Sequence, residues 1–157
     1  MASPDNVFQE RRLASMHLIQ ELVDVRTEML SLYSELAAQH PFDDSETTID
    51  LLEQFCQALI DYTADAHFRL YRYIDERKER RRAILAVADR VYPGIVTTTQ
   101  AILDFNDKYD FTDKSPCLDE LERDLSRLGE CLADRIELED QVIQVMRDQR
   151  RAAVSDG

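Results

Sequence analysis

Apolar residues recur along the chain in alternating three- and four-residue steps, the spacing that lines one face of an α-helix. A first run starts near Pro4-Asp5-Asn6 and continues to about His40, with Leu18, Leu22, Val25, Met29, Leu32 and Leu36 inward. Arg26 lies on the flank of that stripe with Ile19, Leu30 and Tyr33. Pro41 ends the run, and Phe42-Asp43-Asp44-Ser45 forms a loop rich in N-cap residues. The second run, centred on Asp50 to Ile74 and ending near Arg77-Lys78, carries Ile49, Leu52, Cys56, Leu59, Thr63, Ala66, Leu70 and Tyr73 inward. A third uses Ile84, Val87, Val91, Ile95, Thr98, Ile102 and Phe105, with a kink or short break expected at Pro93-Gly94. The last starts at Ser115-Pro116 and steps through Leu118, Leu121, Leu125, Leu128, Leu132, Arg135, Glu139, Val142 and Met146.

Four such stripes joined by short loops predict an all-α, up-and-down four-helix bundle. A short extra helical segment is expected at the N-terminus, and the third helix is expected to be Pro-kinked. Residues 1–157 are read as a single domain with flexible tails at roughly 1–4 and 152–157.

Two features do not fit a plain bundle. Turning the second stripe inward turns Gln54, Ala58, Asp61, Asp65, Phe68 and Arg72 outward, with His67 between the two rows. An aromatic ring beside carboxylates is how interface anchors are built, although packing against a short N-terminal helix would use the same row. In the last helix Arg135 and Glu139 occupy successive core positions, one turn apart and able to pair. Burying them costs several kcal/mol per ion unless every hydrogen bond is met, with His67, Tyr71 and Arg26 as candidate partners. A layer of this kind sets helix register or, alternatively, forms a ligand or catalytic site.

Composition narrows the partner. The 32 acidic and 19 basic residues leave a formal charge of −13, which repels nucleic acid and anionic membrane and favours a basic protein. The basic cluster Arg80-Arg81-Arg82 is too short to reverse that sign. Cys56, Cys117 and Cys131 show no metal or redox spacing, and Cys56 reads as a small core residue in a reducing compartment. None of His17, His40 and His67 has Glu three residues before it, so no di-metal bundle site is expected. Without a phosphate loop or nucleophile motif, no catalytic residue and no cofactor is expected either. The N-terminus lacks a signal pattern and no apolar run spans a bilayer, so a cytoplasmic location is expected.

The run Asp61-Tyr62, His67-Phe68 and Tyr71, preceded by Phe55-Cys56-Gln57-x-Leu59-Ile60, resembles the Rsd/AlgQ family of bacterial anti-sigma factors. Arg135-Ile136-x-Leu138-Glu139-Asp140 is a second match, supported by Arg26, Tyr92-Pro93 and Asp104-Phe105-Asn106-Asp107 in the same order. The chain departs from the family with Asp65 before the histidine, Arg72 after the tyrosine and Gln20-Glu21-Leu22 in the first helix. The resemblance implies a regulator of transcription, associated with stationary phase, that binds region 4 of the primary sigma factor. Region 4 is basic and helical and normally contacts promoter DNA and core RNA polymerase. The resemblance implies partner binding at Asp61, with His67 and Phe68 nearby; Asp65 and Arg72, which depart from the family, are added as partner-binding residues because they share the outer row, and the structural polar core expected is Arg26, Tyr71, Arg135 and Glu139. No direct nucleic-acid or membrane partner is expected, and weak self-association is left open. The alternative is a small-ligand sensor or adaptor bundle built on the Arg135/Glu139/His67 layer.

Overall fold

The computed structural model describes residues 4–71 and 82–155; the side chains of 4–12, 15, 71 and 149–155 are outside that description. It is an all-α bundle of four long helices, with no strand among the described residues. Helix α1 spans Pro4–Ala37 and α2 spans Glu46–Ala66, running on into a π-helical turn at His67–Tyr71. Helices α3 and α4 span Arg82–Lys108 and Leu121–Ser155. The chain pairs α1 with α2 and α3 with α4, and the two hairpins meet through α1 against α4 and α2 against α3.

The local chemistry accounts for most of the boundaries. Ser45 caps α2 from an extended backbone conformation, its Oγ accepting from the Thr48 N–H, while Asp43 accepts from the Ser45 N–H at 3.0 Å. The expected separate N-terminal segment is absent, because α1 is continuous from Pro4. Of the kink or short break expected at Pro93-Gly94, the break does not occur: the helix passes through Pro93, whose carbonyl accepts from the Thr97 hydroxyl at 3.0 Å. Helix α4 begins at Leu121 rather than Ser115, yet Leu118 is already buried, so its side chain joins the core ahead of the first turn. The continuation of the second helix toward Arg77-Lys78 lies outside the described residues.

Every inward position expected of α3 and of the final stripe from Leu118 to Met146 is buried. Helix α2 differs. Its buried face runs through Leu52, Phe55, Leu59, Tyr62, Ala66 and then Leu70, leaving Cys56 and Thr63 half-buried. Both phases share Leu52, Leu59 and Ala66, and the aromatic phase buries more surface, which decides between them. Half-burial still pushes the Cys56 thiol up to about 12, with Asp110 and Glu53 adding to it, so the group stays a protonated packing residue.

At the end of the bundle near the loops, rings from three helices interlock. Tyr33 meets Phe55 edge-on at 5.8 Å, Phe55 meets Phe105 at 6.0 Å, and Phe105 lies against Tyr109 at 4.7 Å. Tyr33 also crosses α4 where Gly129 leaves room, donating its hydroxyl to the Leu125 carbonyl at 2.8 Å. A Cβ at position 129 would collide with that hydroxyl. Gly129→Ala is therefore expected to lower the melting temperature despite alanine's better helix propensity, and to be less harmful in a Tyr33→Phe background. Thermal denaturation of the two single variants and the double variant checks this.

Candidate functional site

Two turns along from the aromatic contacts, about 10 Å by helical rise, all four helices contribute to one buried polar layer. Helix α4 supplies Arg135 and Glu139, which are 1% and 0% exposed. The Tyr62 hydroxyl donates to Glu139 Oε1 at 2.6 Å and accepts from Arg135 Nε at 3.2 Å. Arg135 Nη1 donates to Thr99 Oγ1 at 2.8 Å, Thr98 Oγ1 at 3.1 Å and the Ile95 carbonyl at 3.4 Å. Arg26 of α1 completes the set, 3.6 Å from Glu139 and donating to Asp140 at 2.9 Å. Glu139 Oε2 has no hydrogen bond and is held by the Arg135 charge at 3.5 Å.

Burial pushes the Glu139 carboxyl above the usual carboxylate range, against the pull of Arg135, Tyr62 and Arg26. Burial likewise drives the Tyr62 phenol far up, so it remains a proton donor to Glu139. Of the three partners expected for this layer, Arg26 takes part, His67 is exposed and lines, with Arg135, a concavity between α2 and α3, and the Tyr71 side chain lies outside the described residues. Tyr62 is the member that sequence reasoning missed. Its signal was the second phase of α2, in which a tyrosine occupies a core position and needs a hydroxyl partner.

On the opposite flank, Asp61 is exposed and accepts from Gln57 Nε2 at 3.0 Å. Phe68 is 58% exposed, with the exposed His67 ring edge-on to it at 5.5 Å. The π-helical turn that starts at His67 sets both rings outward while Leu70 returns to the core. Asp65 does not share their exposure. It is half-buried and ion-paired with Arg69, which also pairs with Glu21 on α1. Burial raises its carboxyl above the usual range. The two uses considered for the outer row are thus divided: Asp65 and Arg69 serve packing against the first helix, and Asp61 and Phe68 remain exposed. Leu18, Ala64 and these four residues line an open depression of about 530 Å³. Arg72 lies outside the described residues.

Over residues 1–147 the sequence matches the family described as "Regulator of RNA polymerase sigma(70) subunit, Rsd/AlgQ". The chain belongs to that family. A protein named "Regulator of sigma D" from Enterobacter sp. (strain 638) is 34% identical over 154 residues, covering 94% of this chain and 90% of that protein. Its namesake from Yersinia enterocolitica is 33% identical over 144 residues, 88% of this chain and 86% of the relative. The same figures, with 85% of the relative covered, hold for Yersinia pseudotuberculosis (strain IP 31758).

Among the described residues, no group of three or more His, Cys, Asp or Glu is placed to hold a metal ion. No described helix is long and apolar enough to cross a membrane. The charged layer closes largely on itself, which makes it a structural tie between helices. Arg135→Met is expected to cost about 3–5 kcal/mol, because it leaves Glu139 buried without its main counter-charge. Arg135→Met/Glu139→Leu is expected to be less destabilised than that single variant, as urea denaturation would read. The layer also has a pH signature. The folded carboxyl value of Glu139 stands above its unfolded one, so its contribution to stability is full below the ordinary glutamate value near ~4.3 and is lost as pH rises through the raised folded value. Glu139→Gln is expected to remove that part of the stability-versus-pH curve, measured by denaturation between about pH 4 and about pH 8.

Proposed function

We propose that this chain is an anti-sigma factor that binds region 4 of the primary RNA polymerase sigma factor, through the exposed part of α2 around Asp61 and Phe68. His67 stands beside the anchor and Asp65 borders it; Arg72, expected at the same surface, lies outside the described residues. The observation that carries the proposal is the exposure of an acidic group and an aromatic ring on one flank of α2, in a chain of formal charge −13 that belongs to a sigma-regulator family. An acidic face can occupy a cationic patch built for phosphates, and an apolar ring adds the desolvated contact that charge alone does not supply.

The mode of action is occupancy. While region 4 is covered, it can contact neither promoter DNA nor core polymerase, and transcription by the primary sigma factor falls. No bond is made or broken, so the protein needs no catalytic group or cofactor, and it works in the cytoplasm with its sigma factor. Direct nucleic-acid binding is disfavoured by the sign of the surface. A sensor built on Arg135, Glu139 and His67 is the weaker reading: Arg135 and His67 share the lining of a concavity between α2 and α3, but the charges of the layer pair internally.

Asp61→Arg is expected to weaken binding of purified sigma region 4 by roughly 100-fold or more, since it places a cation against a cationic partner. Circular dichroism of the variant should match the wild type, because Asp61 is exposed and its one side-chain bond is to Gln57. Isothermal titration calorimetry decides the matter: unchanged affinity would remove Asp61 from the interface.

A further inference from the structure

On the side of α2 that meets α3, a second concavity of about 450 Å³ opens between the helices. Ile60 of α2 and Tyr92, Val96 and Leu103 of α3 line it, and they are 46%, 58%, 49% and 45% exposed. Open apolar side chains gathered on one face of a highly charged protein mark a contact surface. The polar groups of the lining are largely engaged already. Thr63 Oγ1 donates to the Leu59 carbonyl at 2.7 Å, Thr99 Oγ1 to the Ile95 carbonyl at 2.7 Å, and Gln100 to Asp104 at 2.9 Å. Arg135 is 1% exposed with Glu139 beside it, and the Asn106 carboxamide is sealed from solvent. His67 stands at the C-terminal end of the α2 wall, its ring edge-on to Phe68. The groove therefore offers a partner its apolar wall and the charges around it.

Those charges are predominantly of one sign. Residues 46–66 of α2 and 91–107 of α3 include no lysine or arginine. Helical spacing puts Glu53 two turns before Ile60 on the same flank of α2. It puts Asp89 and Asp107 at the two ends of the α3 row that runs through Tyr92, Val96 and Leu103. All three carboxylates are exposed. Cations next to these stretches are committed: Arg90 donates to Gln141 of α4, Lys108 pairs with Asp124, and Lys114 donates to the Asp107 carbonyl. We propose that this groove receives an amphipathic helix of a partner protein. Its apolar stripe packs on Ile60, Val96 and Leu103, and its flanking lysines or arginines meet Glu53, Asp89 and Asp107. From Tyr92 to Leu103 the row extends about 17 Å by helical rise, three turns of such a helix. Helices docked in this way anchor through apolar residues at i, i+3, i+4 and i+7. Charge selects the occupant, since the same face of a second copy, or an anionic lipid surface, would set like charges against each other. Asp61 is not in the lining, so the site stands independently of the sigma-factor proposal.

The test titrates the isotopically labelled full chain with a leucine–lysine peptide of about 14 residues, roughly four helical turns, whose leucines share one face. Heteronuclear NMR follows the Ile60, Val96 and Leu103 methyl groups, with Leu18 of the α1/α2 depression as the reference. A saturable shift is expected at the first three and not at Leu18. A peptide of the same composition with its leucines spread around the helix should bind weaker by roughly tenfold or more. Val96→Asp/Leu103→Asp adds acidity and removes apolar anchors. It should weaken binding by roughly tenfold or more, yet melt near the wild type, because both side chains are about half exposed. Glu53→Lys/Asp89→Lys keeps the wall and reverses the rim, and should weaken binding by a similar factor. Absence of a saturable shift at the three groove residues would overturn the proposal, as would shifts centred on Leu18. So would equal binding of the spread-leucine peptide, or binding that survives either double variant. Shifts of the same methyl groups on concentrating the chain alone would assign the face to a second copy and would also overturn it.

Discussion

An arginine and a glutamate one turn apart in the middle of α4 constrain everything around them. Ions placed 1% and 0% exposed are tolerable only where neighbours return the hydrogen bonds that water would have made. Tyr62 of α2, Thr98 and Thr99 of α3 and Arg26 of α1 do so, from three different helices. Sliding any helix by a turn would strand a charge in the core. Leucines alone can interdigitate at several offsets; this layer accepts one alignment, and the aromatic contacts at the end of the bundle then pack in the register it sets.

The same constraint orients the exposed flank of α2. Tyr62 must face Glu139, and adjacent residues on a helix point about 100° apart, so Asp61 is turned away from the layer. Beyond Ala66 the π-helical turn changes the phase and brings His67 and Phe68 outward next to it. The exposed flank carrying Asp61 and Phe68 and the register-setting core are thus two sides of one helix. Asp65, between them, is drawn toward Arg69 and α1 and contributes to packing.

The two treatments of buried polarity in this protein differ in kind. In the central layer nearly every donor and acceptor is matched, and the group left without a hydrogen bond, Glu139 Oε2, has a guanidinium beside it. Asn106 has neither a partner nor a compensating charge, and it lies on the wall of an open apolar groove. The first arrangement holds the bundle together. The second is an unmet cost that the packing around α3 carries.

Sequence by itself determined the class of fold, the pairing of Arg135 with Glu139 and the inward faces of α3 and α4, because one apolar phase dominates each of those stripes. It also carried the family motif and the sign of the charge. Tertiary structure alone decided which of two equally spaced phases α2 would bury, and with it the place of Tyr62 in the polar layer. It decided that Pro93 would be absorbed into a continuous helix, and that Asp65 would turn to Arg69 while Asp61 stayed in water. The reason is common to these cases. Periodicity states which residues share a face, but which face is covered depends on the volume and hydrogen-bonding capacity of the opposing helix, and a single stripe does not contain that information.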